Sequence, residues 1–188
     1  MNEVVLVRHG ESETAAAGIV GGNAALTAAG RAQARELARA LAERPFDACL
    51  TSPALRARET AAVVLEGRDV PQTVLADLAD IEFGSFEGGS LAEYRAWIAG
   101  HDPAEAPPGG ESRAETLRRF CRAYRTLLEQ AEAHLLVVAH GLTLSALTDD
   151  PPQPSVAGVP YGSSLELTRD ELAAAVARLE RWCEAPAW

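Results

Sequence analysis

An α/β layered fold is predicted by three observations. Strand-like and helix-like segments alternate along the chain. Two wholly apolar runs, Val4–Val7 and Leu135–Ala139, have the composition of strands covered on both faces. Elsewhere, apolar residues recur at helical spacing in segments bounded by capping residues and prolines.

The elements follow in order. Val4–Val7 is the first strand, and Arg8-His9-Gly10 stands at its C-terminal end. Thr27 suits an N-cap for a helix running to about Glu43, with Ala34, Leu37, Ala38 and Leu41 on its core face. Ala48–Thr51 reads as a short strand. Pro53 is then placed for the first turn of a helix that turns Ala57, Ala61 and Val64 inward. Leu91–Ile98 predicts a helix, followed by a loop from His101 to Gly110 with three prolines. Glu111–Ala131 predicts a long helix with Leu117, Phe120, Tyr124 and Leu128 on one side. At spacing i, i+3, Tyr94 and Trp97 read as core residues ahead of contacts for a ring-bearing ligand. Leu135–Ala139 is the second apolar strand and ends in His140-Gly141. Pro151–Pro160 reads as a proline-rich surface loop, and Ser164–Thr168 as a late strand. In the tail from Leu172 to Glu184, the alanine-rich pattern alone favours a helix. No repeat or linker divides residues 1–188, which read as one domain.

Composition excludes several classes of function. The net charge of −10 argues against nucleic acid and acidic lipid as partners. No apolar run reaches the length of a membrane span, and no basic-then-apolar leader opens the chain, so a soluble, cytoplasmic protein is expected. Cys49, Cys121 and Cys183 are too few and too scattered for a disulfide framework or a zinc site. All 17 basic residues are arginine. Without lysine there is no Walker A loop, no Schiff-base amine and no pyridoxal-phosphate anchor. Any side-chain cation that holds a phosphate is therefore Arg or protonated His.

Ligands of open α/β sheets bind beyond the carboxyl ends of the strands. One Arg-His-Gly there reads as a polar loop. A second His-Gly after a second apolar strand changes that reading, because parallel neighbours would bring His9 and His140 to one sheet edge. Thr51-Ser52-Pro53 follows a third strand, and Arg56 lies one turn into the next helix. Asp80-Ile81-Glu82-Phe83-Gly84 can add a carboxyl group from a loop. Two imidazoles, two guanidinium groups and a carboxyl group suit phosphoryl transfer. Cations neutralise the equatorial oxygens, an imidazole attacks in line, and an acid protonates the leaving oxygen.

These residues resemble the histidine phosphatase superfamily, with its phosphoglycerate mutase-like fold. Leu6-Val7-Arg8-His9-Gly10-Glu11-Ser12 is similar to its signature. Leu26-Thr27 with Gly30 and Gln33-Ala34, then Thr51-Ser52-Pro53 with Arg56-Ala57 and Thr60-Ala61, follow in order. Ile81-Glu82-Phe83-Gly84 with Phe86-Glu87-Gly88, Gly109-Gly110-Glu111-Ser112 and Val137-Val138-Ala139-His140-Gly141 complete it.

The resemblance implies a three-layer α/β/α sandwich with a mostly parallel central sheet, and a lid-like insertion around residues 85–110. It implies catalytic roles for His9, Asp80, His140, Arg8 and Arg56. His9 would form a phosphohistidine, its other ring nitrogen donating to a backbone carbonyl. Substrate binding would use Arg8, Ser12, Arg56, Glu82, His140 and Gly141, with His140 helped by carboxylates that raise its pKa. No metal and no cofactor are implied. The partner is a small phosphorylated metabolite, and hydrolysis is expected because the chain has little room for the insertions of a mutase. Mutase-type transfer and a degenerate binding protein are the alternatives, and a homodimer is one of the open oligomeric states.

The sequence departs from the family pattern in two places. Asp80 stands where the family has Glu, and is favoured as the acid ahead of Glu82. Ala15 replaces a polar residue after the signature, leaving Ser12 or the backbone of Gly21 and Gly22 to substitute. In the tail, Ala177–Trp182 resembles the family's closing strand, and on that ground a strand is expected there over the helix.

Overall fold

The computed structural model describes residues 1–149, 152–153 and 159–188. Most of the expected Pro151–Pro160 loop lies outside the described residues. Five strands form one sheet in the order β3-β2-β4-β1-β5. They are β1 (Glu3–Arg8), β2 (Ala48–Thr51), β3 (Gln72–Val74), β4 (His134–Ala139) and β5 (Ser164–Thr168). β1, β2, β3 and β4 run parallel, and β5 alone is antiparallel, on the edge beside β1.

The two apolar runs are the central pair. Val4 stands opposite Leu135 and Val7 opposite Val138, and every residue from Val4 to Val7 and from Leu135 to Ala139 is buried. Alternation along each strand divides these side chains between two cores. Val5, Val7, Leu136 and Val138 pack with α2 (Ala28–Ala40) and α3 (Leu55–Val64). Val4, Leu6, Leu135 and Val137 pack on the other face with α4 (Leu91–Ala99), α5 (Arg113–Leu128), α6 (Gly141–Thr148) and α7 (Arg169–Glu184). Helices on both faces of a mostly parallel sheet make the expected three-layer sandwich.

The helix ends are set by short polar side chains. Thr27 caps α2 through the Gly30 N–H, and Ser112 with Glu115 forms a capping box on α5. Pro53 falls outside the first turn assigned to it. α3 begins at Leu55, whose N–H donates to Asn23 Oδ1 at 2.7 Å.

The expected closing strand in the tail is a helix. A capping box between Thr168 and Glu171 starts α7, and Leu172, Ala175, Val176, Leu179 and Cys183 form its buried stripe. The apolar period is that of a helix, and β5 already pairs with the free edge of β1 along Val4–Val7. Three elements had no sequence signal strong enough to assign: the short α1 (Glu13–Ala16), the exposed strand β3 and the almost wholly buried α6.

Candidate active site

Four loops at the carboxyl ends of parallel strands meet in one cavity of about 140 Å3. β1 delivers Arg8 and His9, β4 delivers His140, the first turn of α3 after β2 presents Arg56, and the segment after β3 carries Asp80. The ladders extend into the loops. His9 N–H donates to Ala139 O at 2.9 Å, and Ser52 N–H to Val138 O at 2.9 Å. Adjacent strands thereby fix the two imidazoles edge to face, with ring centroids 5.2 Å apart.

Gly10 has a steric cause. A Cβ there would lie 2.4 Å from Gly30 O, because the turn after β1 rests directly on the first turn of α2. The Gly10 N–H donates to Thr60 Oγ1, which joins the turn to α3.

His9 is 4% exposed. Its Nδ1 lies 2.7 Å from Gly10 O. A carbonyl can only accept, so Nδ1 carries the proton and Nε2 presents a lone pair. Arg56 Nε donates to that Nε2 at 3.1 Å. Burial and the charges of His140 and Arg56 hold the His9 pKa well below 6.5, so the ring is neutral at neutral pH.

The expectation of a raised His140 pKa is overturned. Burial, the largest influence, pulls it down to about 4; Asp80 pulls the other way, and the charges of Arg56 and Arg8 add to the lowering. Its Nδ1 is 3.2 Å from Asp80 Oδ2, and its Nε2 is 2.7 Å from Ser52 Oγ. The ring therefore donates to Asp80 and accepts from Ser52.

Asp80 also receives Arg56 Nη2 at 2.8 Å and the Ile81 N–H at 3.0 Å. Burial favours its neutral form. The charges of His140, Arg56 and His9 outweigh burial and hold its pKa at about 2. Glu82 is exposed and lines the neighbouring open cavity, not the one that holds His9. Ser12 and Gly141 line the His9 cavity. Ser12 caps α1, accepting from the Ala15 N–H at 3.4 Å. The Gly22 N–H donates to Glu87 and the Gly22 carbonyl accepts from Arg56, so that peptide is engaged on both sides.

Sequence reasoning missed several contributors. The Arg8 guanidinium lies 3.8 Å from the centre of the Tyr161 ring and donates to Val159 O, and the Tyr161 ring is 5.7 Å from that of His9. Arg119 donates to the carbonyls of Asp77, Ala79 and Asp80 and pairs with Glu111, which fixes the loop that carries Asp80. Tyr161 follows a segment without periodicity, and Arg119 looks like any exposed arginine of an amphipathic helix, so neither had a local signal. Arg95 and Arg113 also line the cavity. Tyr94 is buried, as its core reading expects, but it forms part of the cavity wall as well.

Comparison with known proteins agrees with this geometry. The profile of the histidine phosphatase superfamily (branch 1) matches residues 4–181. An adenosylcobalamin/alpha-ribazole phosphatase of Salmonella typhimurium is 39% identical over 157 residues, which cover 76% of this chain and 75% of the relative. A 2,3-bisphosphoglycerate-dependent phosphoglycerate mutase of Methylobacterium radiotolerans is 36% identical over 163 residues, covering 77% and 76%. Among solved structures, the alpha-ribazole phosphatase from Shigella flexneri superimposes with a TM-score of 0.74 at 28% identity, covering 87% of this chain and 89% of that one. With a match from Val4 to Arg181, this chain belongs to the histidine phosphatase superfamily and is a phosphatase.

Proposed function

We propose that this phosphatase hydrolyses a small phosphate monoester with His9 as the nucleophile, Asp80 as the proton carrier, and Arg8, Arg56 and His140 as the holders of the phosphoryl oxygens. The observation that carries the reading is the tautomer of His9. Gly10 O holds the proton on Nδ1 and aims the Nε2 lone pair into the cavity beside Arg56.

The steps follow from the charges. The phosphoryl oxygens compete with Asp80 and His9 for Arg56, and with Asp80 for the Nδ1–H of His140. Once Arg56 turns to the dianion, Asp80 loses its cation partner and gains a negative neighbour, which raises its proton affinity so that it takes up a proton from solvent. Nε2 then attacks phosphorus, the ester P–O bond breaks, and the leaving oxygen takes a proton from Asp80. In the second half, water gives a proton to the Asp80 carboxylate and attacks phosphorus. The P–N bond breaks and returns its electron pair to Nε2. Tyr161 keeps Arg8 extended beside the nucleophile.

Residues 85–110 are proposed as the lid. The Val20 N–H donates to Gly89 O and the Gly88 N–H to Val20 O, which tie this segment across the rim of the cavity. The test is phosphate release from a panel of phosphorylated metabolites, with 3-phosphoglycerate included, a chelator arm and a His9→Ala control. The reading expects release that survives the chelator and is lost in His9→Ala. Isomerisation of 3-phosphoglycerate without release of phosphate would favour the mutase.

A further inference from the structure

The fold brings together two cysteines that stand far apart in the sequence. Cys121 belongs to the buried face of α5 and Cys183 to the buried stripe of α7, and both lie in the same core. Two arginines set the register of these helices. Arg125, one turn after Cys121, holds Glu180 through two nitrogens at 2.6 and 2.8 Å, and Glu180 lies one turn before Cys183. Arg118, one turn before Cys121, donates to the Cys183 carbonyl at 2.7 Å. The helices therefore run antiparallel, with Cys121 and Cys183 at one level. The two thiols are in hydrogen-bonding contact there.

The two sulfurs are not equivalent. The contact with Cys121 lowers the pKa of the Cys183 thiol, and the charge of Arg118 adds to this against burial and Glu180. The same contact, with burial, raises the pKa of Cys121. Cys183 is thus the readier thiolate, and Cys121 donates to it. Cys183 also stands in the last turn of α7, and helix ends open ahead of the core. Neither residue is sealed, each being 6% exposed. Cys49 is the contrast: it is fully buried in β2, and burial pushes its thiol up to about 12. Cys121 and Cys183 do not line the cavity that holds His9.

We propose that Cys121 and Cys183 form a redox site, at which a peroxide joins them in a disulfide that staples α7 to α5. The Cys183 thiolate attacks one oxygen of the peroxide, the O–O bond breaks, and the departing hydroxide takes a proton from solvent and leaves as water. This makes a sulfenic acid on Cys183. The Cys121 sulfur then attacks the Cys183 sulfur, the S–O bond breaks, and the departing hydroxide takes the Cys121 proton to leave as the second water. The two thiols together lose two electrons and two protons, and hydrogen peroxide is reduced to water. The staple constrains the unfolded chain, and it fastens α7 to the helix whose Arg119 fixes the Asp80 loop.

The test treats the full chain with hydrogen peroxide, alkylates it, digests it without reductant and examines the peptides by mass spectrometry, with Tm measured before and after oxidation. The expected result is a cross-linked pair of peptides carrying Cys121 and Cys183, with Cys49 still free. The intact mass should fall by about 2 Da, the two thiol hydrogens. Tm should rise by roughly 5–10 °C, the scale of a disulfide that closes a long loop, and dithiothreitol should reverse both changes. Cys121→Ala should leave an oxidised Cys183 with no cross-link and no rise in Tm. In the wild type, over-oxidation of Cys183 without a cross-link, a disulfide between chains, oxidation of Cys49 ahead of the pair, or survival of all three thiols would overturn the proposal. So would a cross-link that leaves Tm unchanged or lowers it. Every readout is independent of hydrolysis at His9.

Discussion

Arg56 holds His9 and Asp80 at once: its Nε donates to His9 Nε2 at 3.1 Å, and its Nη2 donates to Asp80 at 2.8 Å. In the proposed mechanism, the lone pair that attacks phosphorus and the carboxylate that gains a proton are restrained by one buried guanidinium, and substrate releases both because phosphoryl oxygens are the stronger claimants on Arg56. Arg56→Lys keeps the charge but cannot reach both partners from a single ammonium. Its kcat/KM should fall by about 10²–10³, the usual loss for one preorganised electrostatic contact. Steady-state kinetics on an aryl phosphate check this, and a loss below about threefold would show that the fork is dispensable.

Asp80 and Glu82 are separable by leaving group. Asp80→Asn should cost far more with an alkyl phosphate than with an aryl phosphate, because only the poor leaving group needs its proton. Glu82→Gln, at an exposed position facing the neighbouring cavity, should leave both rates within about twofold. Equal losses for Asp80→Asn on both esters would remove the acid role.

The two buried imidazoles set the acid limit of stability. An unfolded histidine takes a proton near pH 6.5, whereas folded His140 resists until about pH 4 and His9 is held well below 6.5. The unfolded chain therefore binds more protons through that window, and stability falls as pH drops from about 6.5 to 4. Asp80, held at about 2 against an ordinary 3.8, extends the fall to lower pH with the same sign. Denaturant unfolding between pH 7 and 4 should show this slope. His140→Gln should flatten it by up to about 1.4 kcal/mol per pH unit, one proton's worth. An unchanged slope would mean that His140 is protonated in the native state. The acid limb of kcat/KM for the free enzyme should likewise lie below pH 6.5.

Tyr161 is expected to act through Arg8. Tyr161→Phe keeps the ring under the guanidinium and should retain most activity. Tyr161→Leu removes the cation–π contact and should raise KM by roughly threefold to thirtyfold, with less change in kcat. Equal effects of the two substitutions would assign the role to the hydroxyl.

The legible parts of the fold were those with a strong local period. Val4–Val7 and Leu135–Ala139 could only be buried strands, and α2 and α5 carried their caps and stripes in the sequence. β3 could not be read, because all of its residues are exposed and its pairing comes from β2. In the tail, the helical stripe of Leu172, Val176 and Leu179 was a better guide than family resemblance, because side-chain period reports burial directly. At the site, residues that follow strands were legible from the strands themselves. Arg119, Tyr161, Arg95 and Arg113 were not, because tertiary packing alone decides that they face one cavity or one loop.

The most direct test of the central claim is to trap the intermediate. Wild-type protein is mixed with an aryl phosphate, quenched in alkaline denaturant within the first turnovers, digested and examined by mass spectrometry. The mechanism predicts a phosphoryl group on the peptide that carries His9, absent from His9→Ala and increased by Asp80→Asn, which slows attack by water. A phosphoryl group on His140, or full turnover by His9→Ala, would contradict it.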